Sequence, residues 1–510
     1  MNKRALISVT NKEGIVDFGR QLVELGYEIV STGNTYKILT ESGVEAIKID
    51  EVTNFPEILN GRVKTLNPYI HGGILFERDK SEHIDTIKKH DIHPIDIVVV
   101  NLYDFEGSLK KDEDHAKMIE NIDIGGPTII RAASKNYKDV TVIVDPDDYD
   151  IIIEKIKNNS LSVEDRLNLA FKAFSITARY DSLISTYFAN SLGEKYPKYL
   201  NLTFEKQYEL RYGENPHQKA CYYKDSFSKE SILDFEKLHG KELSFNNIND
   251  LNGCLNIMHE FKDEDYVTAV AVKHTNPCGV AIGENSCKAF KKCYESDPVS
   301  IFGGIVGINS VVDENTAKML NDIFLEIIVA YDYTNEALEI LKQKKNVRIL
   351  KIDDLNKSGR GYDLKYLDGK LLAQDEDDKL LDKFEVVTEN KPNDKEIEDM
   401  NFGMKIVKNM KSNGIAIVKD GKTIALGPGQ TSRIWALENS INNNSDKDFN
   451  GATLASDAFF PFDDCVKFAA KYGIKNIIQP GGSRNDVDSI KACDELKISM
   501  VFTGVRHFKH

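Results

Sequence analysis

Short apolar runs alternate with amphipathic helical stretches through the first 150 residues of this 510-residue chain. Two of the runs, Ala5–Val9 and Tyr27–Val30, are predicted to be buried strands, and Lys12–Leu25 between them has the apolar spacing of a helix. The cycle continues with Thr35–Ser42, Glu45–Ile49, Ile97–Leu102 and Val140–Val144. Because strands that alternate with helices form parallel sheets covered on both faces, we expect an α/β domain over residues 1–150.

A second alternating pattern begins near residue 201, after a stretch over residues 151–200 that is predicted to be a helical bridge packed between domains or between subunits. The acidic stretches Gln374–Lys383 and Glu389–Asp399 are predicted to be solvated loops or linkers. They divide residues 201–510 into halves of about 201–360 and 385–510. Both halves follow a strand–loop–helix order, which indicates an old duplication. Predicted strands of this region are Val267–Lys273, Ile301–Asn309, Ile415–Lys419, Ile424–Leu426 and Ile474–Gln479.

Charge and composition narrow the class of partner. The formal net charge of −15 disfavours nucleic acid and anionic membranes, because both require a basic face. It allows a small phosphorylated ligand, which needs only a few arginines or helix amides. No apolar run approaches the roughly 20 residues that span a bilayer, and the N-terminus does not resemble a signal peptide. Seven scattered cysteines argue against a disulfide framework, so we expect a cytoplasmic protein.

Polar loops follow the first two predicted strands. Ser8 and Lys12 follow the first strand, and Thr32, Gly33 and Thr35 follow the second. Open α/β sheets bind ligands at such loops, where hydroxyl groups and backbone amides can hold a phosphate. The alternative is ordinary N-capping of the following helices by Ser and Thr.

Two further segments of the first domain concentrate cations and glycines. Arg62 and Lys64 alternate in an extended segment, so both side chains can leave the same face, either toward a ligand or as a solvated edge. Asp123-Ile124-Gly125-Gly126-Pro127-Thr128 is predicted to open a helix, with Thr128, Arg131 and Lys135 along one face. A glycine pair at a helix N-terminus beside cations favours an anion or oxyanion site.

These motifs, with Asn101-Leu102-Tyr103 and the run from Arg131 to Asn136, are similar to the inosine monophosphate cyclohydrolase domain. The resemblance implies a methylglyoxal-synthase-like fold and a cofactor-free ring closure, in which the carboxamide nitrogen of a formylated ribotide attacks the formyl carbon and water leaves. It implies a binding set for the ribotide and its phosphate and a set around the closing ring. The first set is Ser8, Lys12, Thr32, Gly33, Thr35, Arg62, Lys64 and Thr65, with Asn101 as a further substrate contact; the second is Tyr103, Asp123, Gly125, Gly126 and Lys135, with Lys64, Tyr103, Asp123 and Lys135 as the catalytic residues.

The clearest motifs of the second region are Leu210–Gln218 and Ala271–Gly279. The first packs Arg211 and Tyr212 beside a turn, and the second ends an apolar strand with Lys273 and His274. A lone lysine or histidine is usually solvated, but the pair at a strand end favours acid–base chemistry. Other polar or aromatic segments surround these motifs, with core packing or a frayed terminus as the alternative for the last two. They are Ile301–Gly304, Lys411–Gly414, Gly427–Arg433, Ser456–Phe462 and Arg506–His510.

In this order the motifs are similar to the aminoimidazole carboxamide ribotide transformylase domain, so the two resemblances together cover nearly the whole chain. They imply two cytidine-deaminase-like halves, 10-formyltetrahydrofolate as co-substrate, catalysis by Lys273, His274 and Asn413, and possible support by potassium. They also imply a homodimer whose transformylase sites are built from both subunits. The implied substrate contacts are Arg211, Tyr212, Phe302, Gly303, Glu326, Arg433, Phe459, Phe462 and Arg506.

The residues of the chain disfavour three other functional classes, namely a zinc deaminase, a dehydrogenase and a ligand sensor. A zinc deaminase needs HxE followed by PCxxC, whereas His274 is followed by Thr275-Asn276, so no zinc site is expected. The absence of GxGxxG after the first strand disfavours a dehydrogenase. A ligand sensor could keep the phosphate cations and lose the catalytic residues, which this chain retains. The chain departs from the usual family residues at Asn34, Asn67, Asp104, Glu326 and Tyr331.

Overall fold

The computed structural model describes residues 3–356 and 361–510. The chain divides into two compact units, Met1–Glu205 with Asp225–Phe227, and Lys206–Lys224 with Ser228–His510. The end predicted near residue 360 for the first half of the second region lies outside the described residues. Within the two described ranges, no helix combines the length and the apolar character needed to span a membrane.

The first unit is built on a parallel sheet with the strand order β3-β2-β1-β4-β5. Its strands are β1 (Lys3–Ser8), β2 (Tyr27–Ser31), β3 (Ile47–Lys48), β4 (Ile97–Val100) and β5 (Thr141–Ile143). Its helices are α1 (Ile15–Glu24), α2 (Gly33–Glu41), α3 (Ile49–Thr53), α4 (Pro68–Leu75), α5 (Ser81–Lys89), α6 (Phe105–Lys110), α7 (His115–Glu120), α8 (Gly125–Lys135), α9 (Tyr149–Lys157) and α10 (Val163–Ser191).

The central strand β1 explains where the polar loops meet. Ala5 pairs in parallel with Ile29 of β2 on one side and with Ile97 of β4 on the other. All of β4 and most of β1 are buried, as the continuous apolar runs predict. Because parallel strands end at the same edge of a sheet, the loops after β1, β2 and β4 lie side by side. The α/β fold with a parallel N-terminal sheet is confirmed.

Helix α10 belongs to the first unit and covers the segment expected to be a bridge. It begins at a capping box, in which the Ser162 hydroxyl accepts a hydrogen bond from the Asp165 amide at 3.1 Å and the Asp165 carboxylate accepts one from the Ser162 amide at 2.9 Å. Leu169 and Ala173 are buried in the core of the sheet domain. The helix therefore packs on the parallel-sheet core of its own unit.

The second unit contains a mixed sheet of twelve strands within its described residues, with the order β16-β21-β20-β19-β17-β18-β10-β9-β11-β12-β13-β8. Its strands are β6 (Phe204–Leu210), β7 (Ala220–Asp225), β8 (Glu236–His239), β9 (Val267–Lys273), β10 (Asn276–Gly283), β11 (Ile305–Val312), β12 (Ile327–Tyr333), β13 (Arg348–Lys351), β14 (Tyr362–Leu367), β15 (Lys370–Asp375), β16 (Glu385–Val386), β17 (Ile415–Lys419), β18 (Lys422–Gly427), β19 (Thr453–Ser456), β20 (Asn476–Gln479) and β21 (Ser499–Phe502). Strands β6 and β7 form one separate pair, and β14 and β15 form another. The first two residues of β6 and the last residue of β7 are counted with the first unit.

The helices of the second unit complete two copies of one topology. They are α11 (Phe245–His259), α12 (Ser286–Ser296), α13 (Glu314–Asn321), α14 (Asn335–Leu341), α15 (Asp394–Val407), α16 (Arg433–Asn442), α17 (Asp464–Lys471) and α18 (Asp486–Leu496). In each half a strand and a helix precede an antiparallel hairpin, and three parallel strands separated by helices follow it. Strands β8 to β13 therefore correspond one by one to β16 to β21, with the same neighbours and directions. This repeat supports the duplication that the sequence indicated.

The two hairpins repeat even their irregularities. Lys273 pairs with Asn276 across one two-residue turn, and Lys419 pairs with Lys422 across the other. In both hairpins the third residue of the second strand, Cys278 or Ile424, is skipped in the pairing as a β-bulge. The hairpins meet at Ala281 and Lys422, where β10 pairs with β18 and joins the halves into one sheet.

The prediction that Glu389–Asp399 is a solvated loop is wrong. Its second part forms the first turns of α15, where the Asn393 side chain accepts a hydrogen bond from the Glu396 amide at 3.0 Å. Asp399, in the second turn, is buried. The start predicted for β11 at Ile301 is also early, because Gly303 has a φ of +73° and turns the chain before the strand begins at Ile305.

Candidate active sites

The first unit holds a cavity of about 640 Å³ at the carboxyl edge of its parallel sheet. The loops after β1, β2 and β4, the segment 61–65 and the start of α8 line it. Of the residues predicted for this site, the cavity is lined by Ser8, Lys12, Thr32, Gly33, Thr35, Arg62, Lys64, Thr65, Asn101, Tyr103, Asp123, Gly125 and Gly126.

The loops after β1 and β2 are joined by hydrogen bonds from side chains predicted to bind a phosphate. The hydroxyls of Ser8 and Thr32 lie 2.7 Å apart, and Lys12 Nζ donates to Thr35 Oγ1 at 3.1 Å. Burial lowers the pKa of Lys12. Asn101 accepts a hydrogen bond from the Asn11 amide at 2.9 Å and fixes the first loop against the end of β4. Hydrogen bonds within the chain therefore fix the loops after β1, β2 and β4 relative to one another.

Asp123, Tyr103 and Lys64 line the same cavity and influence one another electrostatically. Burial raises the pKa of Asp123, although backbone hydrogen bonds from Gly126 and Tyr103 and the charge of Lys64 act in the opposite direction. Burial and the neighbouring Asp123 carboxylate raise the pKa of Tyr103. The Gly126 amide donates to Asp123 Oδ1 at 2.8 Å, and a Cβ at Gly125 would lie 2.9 Å from the Thr65 hydroxyl. Glycine is therefore needed for this close packing.

Helix α10 supports this wall through a residue that the sequence analysis did not assign. The Tyr180 hydroxyl accepts a hydrogen bond from the Asp123 amide at 2.8 Å and donates one to the Asn121 carbonyl at 2.7 Å. The two contacts fix the loop that carries Asp123. No local pattern marks Tyr180, because its partners lie more than 55 positions earlier in the chain.

Two cations of the first unit do not sit as the motif suggested. Lys135 is exposed at the last position of α8, about 15 Å along the helix from Gly125, and it does not line the cavity. Arg131 lies over the Phe174 ring of α10, 5.5 Å from its centroid. Arg62 lines the cavity but is paired with Glu120, which the sequence analysis missed.

In the second unit, Lys273 and His274 lie at the tip of the first hairpin. Lys273 Nζ donates to the Phe302 carbonyl at 2.9 Å, just before the left-handed turn at Gly303. The Gly303 amide donates to the Phe324 carbonyl at 2.7 Å, and the Glu326 amide donates to Gly304 at 2.9 Å. These contacts bring the predicted residues Lys273, Phe302, Gly303 and Glu326 into one neighbourhood.

The hairpin tip also contacts the segment that carries Asn413. Asn276 Oδ1 accepts a hydrogen bond from the Lys411 amide at 3.1 Å, and Asn276 Nδ2 donates to the His274 carbonyl at 3.2 Å. The two partners on this bridge are 135 positions apart in the sequence. The hydrogen bond places the segment that carries Asn413 next to the hairpin tip that carries Lys273 and His274.

Both ends of the Asn413 amide are held. Its Nδ2 donates to the Gln430 carbonyl at 2.8 Å, and its Oδ1 accepts from Arg433 at 2.7 Å. Arg433 is buried and pairs with Asp457 at 2.5 Å. Within this chain, Arg433 therefore contacts protein groups of the predicted site, and its contact with substrate stays a prediction. An amide still keeps one free N–H and one free lone pair after these bonds.

The C-terminal segment is anchored, as the strand before it indicated. The His507 amide donates to the Asp457 carbonyl at 2.8 Å, and the Lys509 carbonyl accepts from the Ser412 amide at 2.9 Å. The buried His507 ring also lies 2.6 Å from an Asp377 oxygen. The tail is therefore bonded to Ser412, Asp457 and Asp377, and the frayed-terminus alternative is wrong.

The remaining predicted contacts are more scattered. Arg211 lies over the Tyr212 ring at 4.6 Å, and among the described residues no hydrogen bond joins either one to Lys273 or His274. Arg506 lies over Phe508, Phe459 is half-buried and Phe462 is exposed. The Glu326 carboxylate is paired with buried Arg348 at 2.6 Å. The sequence analysis gave no role to Asp250, Asn276 and Asp457, since their partners Thr275, Lys411 and Arg433 lie 25, 135 and 24 positions away.

Comparison with known proteins agrees with both resemblances. Residues 133–443, more than half of the chain, match the family described as the AICARFT/IMPCHase bienzyme, and residues 14–128 match the MGS-like domain. The chain is 62% identical over its full length to the full-length bifunctional purine biosynthesis protein PurH of Clostridioides difficile (strain 630). It is 54% identical, again over all of both chains, to the protein of that name from Thermoanaerobacter sp. (strain X514).

A solved structure titled "Crystal structure of ForH" aligns over 37% of this chain and 100% of its own length, with 32% identity. Its TM-score of 0.33 is too low to bear on the fold. The match to the family over more than half of the sequence, together with the full-length identities, leads to one assignment. The chain belongs to the AICARFT/IMPCHase bienzyme family.

Proposed function

We propose that the two activities of the family are divided between the two units of this chain. As a family member the chain is a bifunctional enzyme of purine biosynthesis, with aminoimidazole carboxamide ribotide formyltransferase and inosine monophosphate cyclohydrolase activities. The cyclohydrolase domain is proposed at residues 1–150 and the transformylase domain at 201–510, with residues 151–200 between them. The hydrogen bond between Asn276 and Lys411 is the observation that carries the transformylase assignment, because it unites Lys273–His274 with Asn413.

Ring closure in the first cavity requires a nucleophile, a stabilised oxyanion and a proton path. The carboxamide nitrogen attacks the formyl carbon, a C–N bond forms, and the formyl oxygen later leaves as water. We assign Asp123 to accept the amide proton, since burial raises the pKa of its carboxyl. Lys64 and the amides at the start of α8 would stabilise the developing oxyanion, and Tyr103 would relay a proton. The ribotide phosphate would be held by Lys12, Arg62 and the hydroxyls of Ser8, Thr32 and Thr35.

Formyl transfer at the second site needs activation of a weak amine. The family uses 10-formyltetrahydrofolate as co-substrate. We propose that His274 takes the proton of the 5-amino group through the neighbouring carboxamide as the amine bonds to the formyl carbon. Lys273 keeps two N–H groups after its bond to the Phe302 carbonyl, and these would stabilise the formyl oxyanion and protonate the leaving folate nitrogen. Asn413 would orient the amine and the formyl oxygen.

The fixed amide of Asn413 supports this role. Its two protein partners, Arg433 and the Gln430 carbonyl, define which end carries oxygen and which carries nitrogen. Arg433 is proposed to act through Asn413, while Arg211 and Arg506 are proposed to bind the ribotide phosphate. A side chain held in this way loses little entropy when the substrate binds.

A homodimer with shared transformylase sites belongs to the same proposal. Among the described residues of one chain, Arg211 and Tyr212 bond to each other and form no hydrogen bond with Lys273 or His274, so we assign this pair to the site of the second copy in a dimer. The proposal also includes support by potassium, without zinc, and a cytoplasmic location. All seven cysteines are free thiols, which fits a reducing compartment.

An absorbance assay tests these assignments. Purified enzyme is given the carboxamide ribotide and 10-formyltetrahydrofolate with potassium, and tetrahydrofolate and inosine monophosphate are followed together. The wild type is expected to form both products in step. His274→Ala is expected to stop tetrahydrofolate formation while still closing the ring of supplied formylated ribotide. Loss of ring closure in the same variant, with the fold intact, would contradict the division between units.

A further inference from the structure

We propose that Asp250 is a positioning residue for formyl transfer, whose carboxylate holds the turn that presents Lys273 and His274 to the substrate. The inference rests on the proposed function, because it requires that His274 belongs to the reacting site. Asp250 lies on α11, outside the motifs that identified the site. In this role it contacts the backbone of the turn and does not contact the substrate.

The turn adopts a conformation that its residues disfavour. His274 has a φ of +54° and Thr275 a φ of +64°, so two consecutive residues with a Cβ are left-handed. Residues other than glycine adopt this region uncommonly, and a β-branched residue such as Thr275 is a true outlier there. Asp250 Oδ1 accepts a hydrogen bond from the Thr275 amide at 2.8 Å, and its carboxylate also interacts with the His274 amide. The carboxylate therefore stabilises the two amides of the strained turn.

The position of the His274 ring depends on this turn. The imidazole is exposed, and among residues 3–356 and 361–510 no hydrogen bond from another side chain fixes it. Its backbone is thus the main element that locates the ring relative to Lys273 and Asn413. A misplacement near 1 Å can cost about 100-fold in rate, so relaxation of the turn should reduce turnover without removing any reacting group.

The second half of the unit contains the same carboxylate without the reacting histidine. Asp399, at the corresponding position of α15, accepts hydrogen bonds from the Asp420 amide at 3.0 Å and the Gly421 amide at 2.9 Å. Lys419 repeats the contact of Lys273, donating to the Asn450 carbonyl at 2.7 Å. Asp399 is therefore a control inside the same molecule, in which a similar loss of hydrogen bonds occurs away from the reacting groups.

The experiment compares four variants of the full-length enzyme: Asp250→Ala, Asp250→Asn, Asp399→Ala and the double variant Asp250→Ala/Thr275→Gly. For each, kcat and KM of formyl transfer, the rate of ring closure and the thermal midpoint are measured. Asp250→Ala is expected to lower kcat for formyl transfer by about 10- to 100-fold with a smaller change in KM. Asp399→Ala, with a comparable loss in the thermal midpoint, is expected to stay within about twofold of wild-type kcat, because its turn carries no reacting group.

Two variants separate positioning from general stability. Asp250→Asn keeps an oxygen that can accept from the turn and should retain most of the activity. Thr275→Gly in the Asp250→Ala background removes the Cβ that disfavours a left-handed turn, so part of the lost kcat should return. Equal losses of kcat in Asp250→Ala and Asp399→Ala, or an Asp250→Asn variant as slow as the alanine variant, would overturn the inference.

A further control distinguishes this inference from the proposed function. If His274→Ala keeps full formyl transfer, the site assignment itself is wrong. If His274→Ala is inactive while Asp250→Ala, well folded by its ring-closure rate, transfers formyl at the wild-type rate, only the positioning role is wrong.

Discussion

The two halves of the second unit have the same strand order, the same hairpin register and the same bulge, yet the proposed chemistry uses the first hairpin alone. Each hairpin tip has a lysine bound to a backbone carbonyl and a carboxylate below its turn. At the tip itself, His274 and Thr275 stand where the other half has Asp420 and Gly421. The shared scaffold therefore holds a lysine in place, and the neighbouring residues decide whether that lysine can take part in a reaction.

The surroundings of the two hairpins differ in the same direction. Next to the first hairpin, the second half supplies Asn413, Arg433 and the buried Asp457. At the corresponding positions the first half has Val267, Ser286 and Asn309, of which Asn309 still accepts a backbone hydrogen bond, from Thr268 at 2.6 Å. The first half thus keeps the hydrogen bond to the backbone amide. It lacks counterparts of the Arg433–Asp457 ion pair and of the Asn413 side chain. Duplication thus preserved the fold, and substitution at a few positions separated the site from its copy.

The largest expected effect is on the rate of formyl transfer, when the lysines at the corresponding ends of the two hairpins are replaced. Lys273→Ala should lower formyl transfer by about 10³-fold, as expected for loss of an acid–base or oxyanion group. Lys419→Ala removes an equivalent contact to a backbone carbonyl and should leave kcat near the wild-type value. Steady-state kinetics of both variants provide the measurement. Similar losses in both would show that the lysine contact is structural in each half.

The next effect concerns stability at the ion pair that only one half contains. Arg433→Ala leaves Asp457 buried without its partner, which should lower the unfolding free energy by about 3–5 kcal/mol. Ser286→Ala, at the matching helix start, removes a hydroxyl that lies 2.9 Å from Thr316 Oγ1 and should cost about 1 kcal/mol. Urea denaturation of the two variants tests the difference. An equal, small cost would mean that the ion pair contributes little to the fold.

A smaller effect is expected at the second position of the turns. Gly421 has a φ of +66°, and a Cβ there would lie 2.5 Å from a side-chain carbon of Ile282. Gly421→Ala should therefore destabilise the protein by about 1–3 kcal/mol. Thr275→Gly should change stability by no more than about 1 kcal/mol, because relief of the left-handed strain is offset by chain entropy. Thermal unfolding of both variants is the measurement, and a reversed order would contradict this account of the turns.

The smallest effect is a pH dependence of the two carboxylates below the turns. Burial raises the pKa of both Asp250 and Asp399 in the folded protein. A raised carboxyl pKa means that the ionised form is disfavoured on folding, so each group lowers stability as pH rises from the unfolded-state pKa through the folded-state pKa. Asp399→Asn should then gain stability relative to wild type over that pH range.

The gain should be smaller for Asp250→Asn. The charge of His274 favours the ionised form of Asp250. For Asp399, the charge of Asp420 disfavours the ionised form more than that of Lys395 favours it. Chemical denaturation between acidic and neutral pH compares the two variants with wild type. A larger gain for Asp250→Asn would show that the surrounding charges disfavour ionised Asp250 more than ionised Asp399.

Much of the fold follows from local sequence. The apolar runs of β9 and β17 were predicted with the bounds found in the structure, because each is a continuous buried strand. The acidic stretch before Asp399 was misread, since composition alone does not show that a carboxylate accepts hydrogen bonds from a turn 21 positions away. Capping at Asn393 was the signal that could have indicated the helix.

The site was predictable in its residue types and less so in its connections. The motifs indicated Lys273, His274 and Asn413 as candidate catalytic residues. The hydrogen bond of Asn276 to the Lys411 amide could not be predicted, because the two residues are 135 positions apart. The ion pair between Arg433 and buried Asp457 was not predicted, because the sequence does not show which carboxylate lies beside the arginine. Lys135 was placed with the glycine pair by its helical spacing, although the length of α8 carries it to the other end.

The division of the two activities between the units is tested by comparing Lys273→Ala and Lys64→Ala in an assay that follows tetrahydrofolate and inosine monophosphate together. Lys273→Ala should form neither product from the carboxamide ribotide, yet it should convert supplied formylated ribotide at close to the wild-type rate. Lys64→Ala should release tetrahydrofolate and accumulate the formylated ribotide. If each variant, properly folded, loses both steps to the same extent, the two activities do not reside in separate sites of the two units.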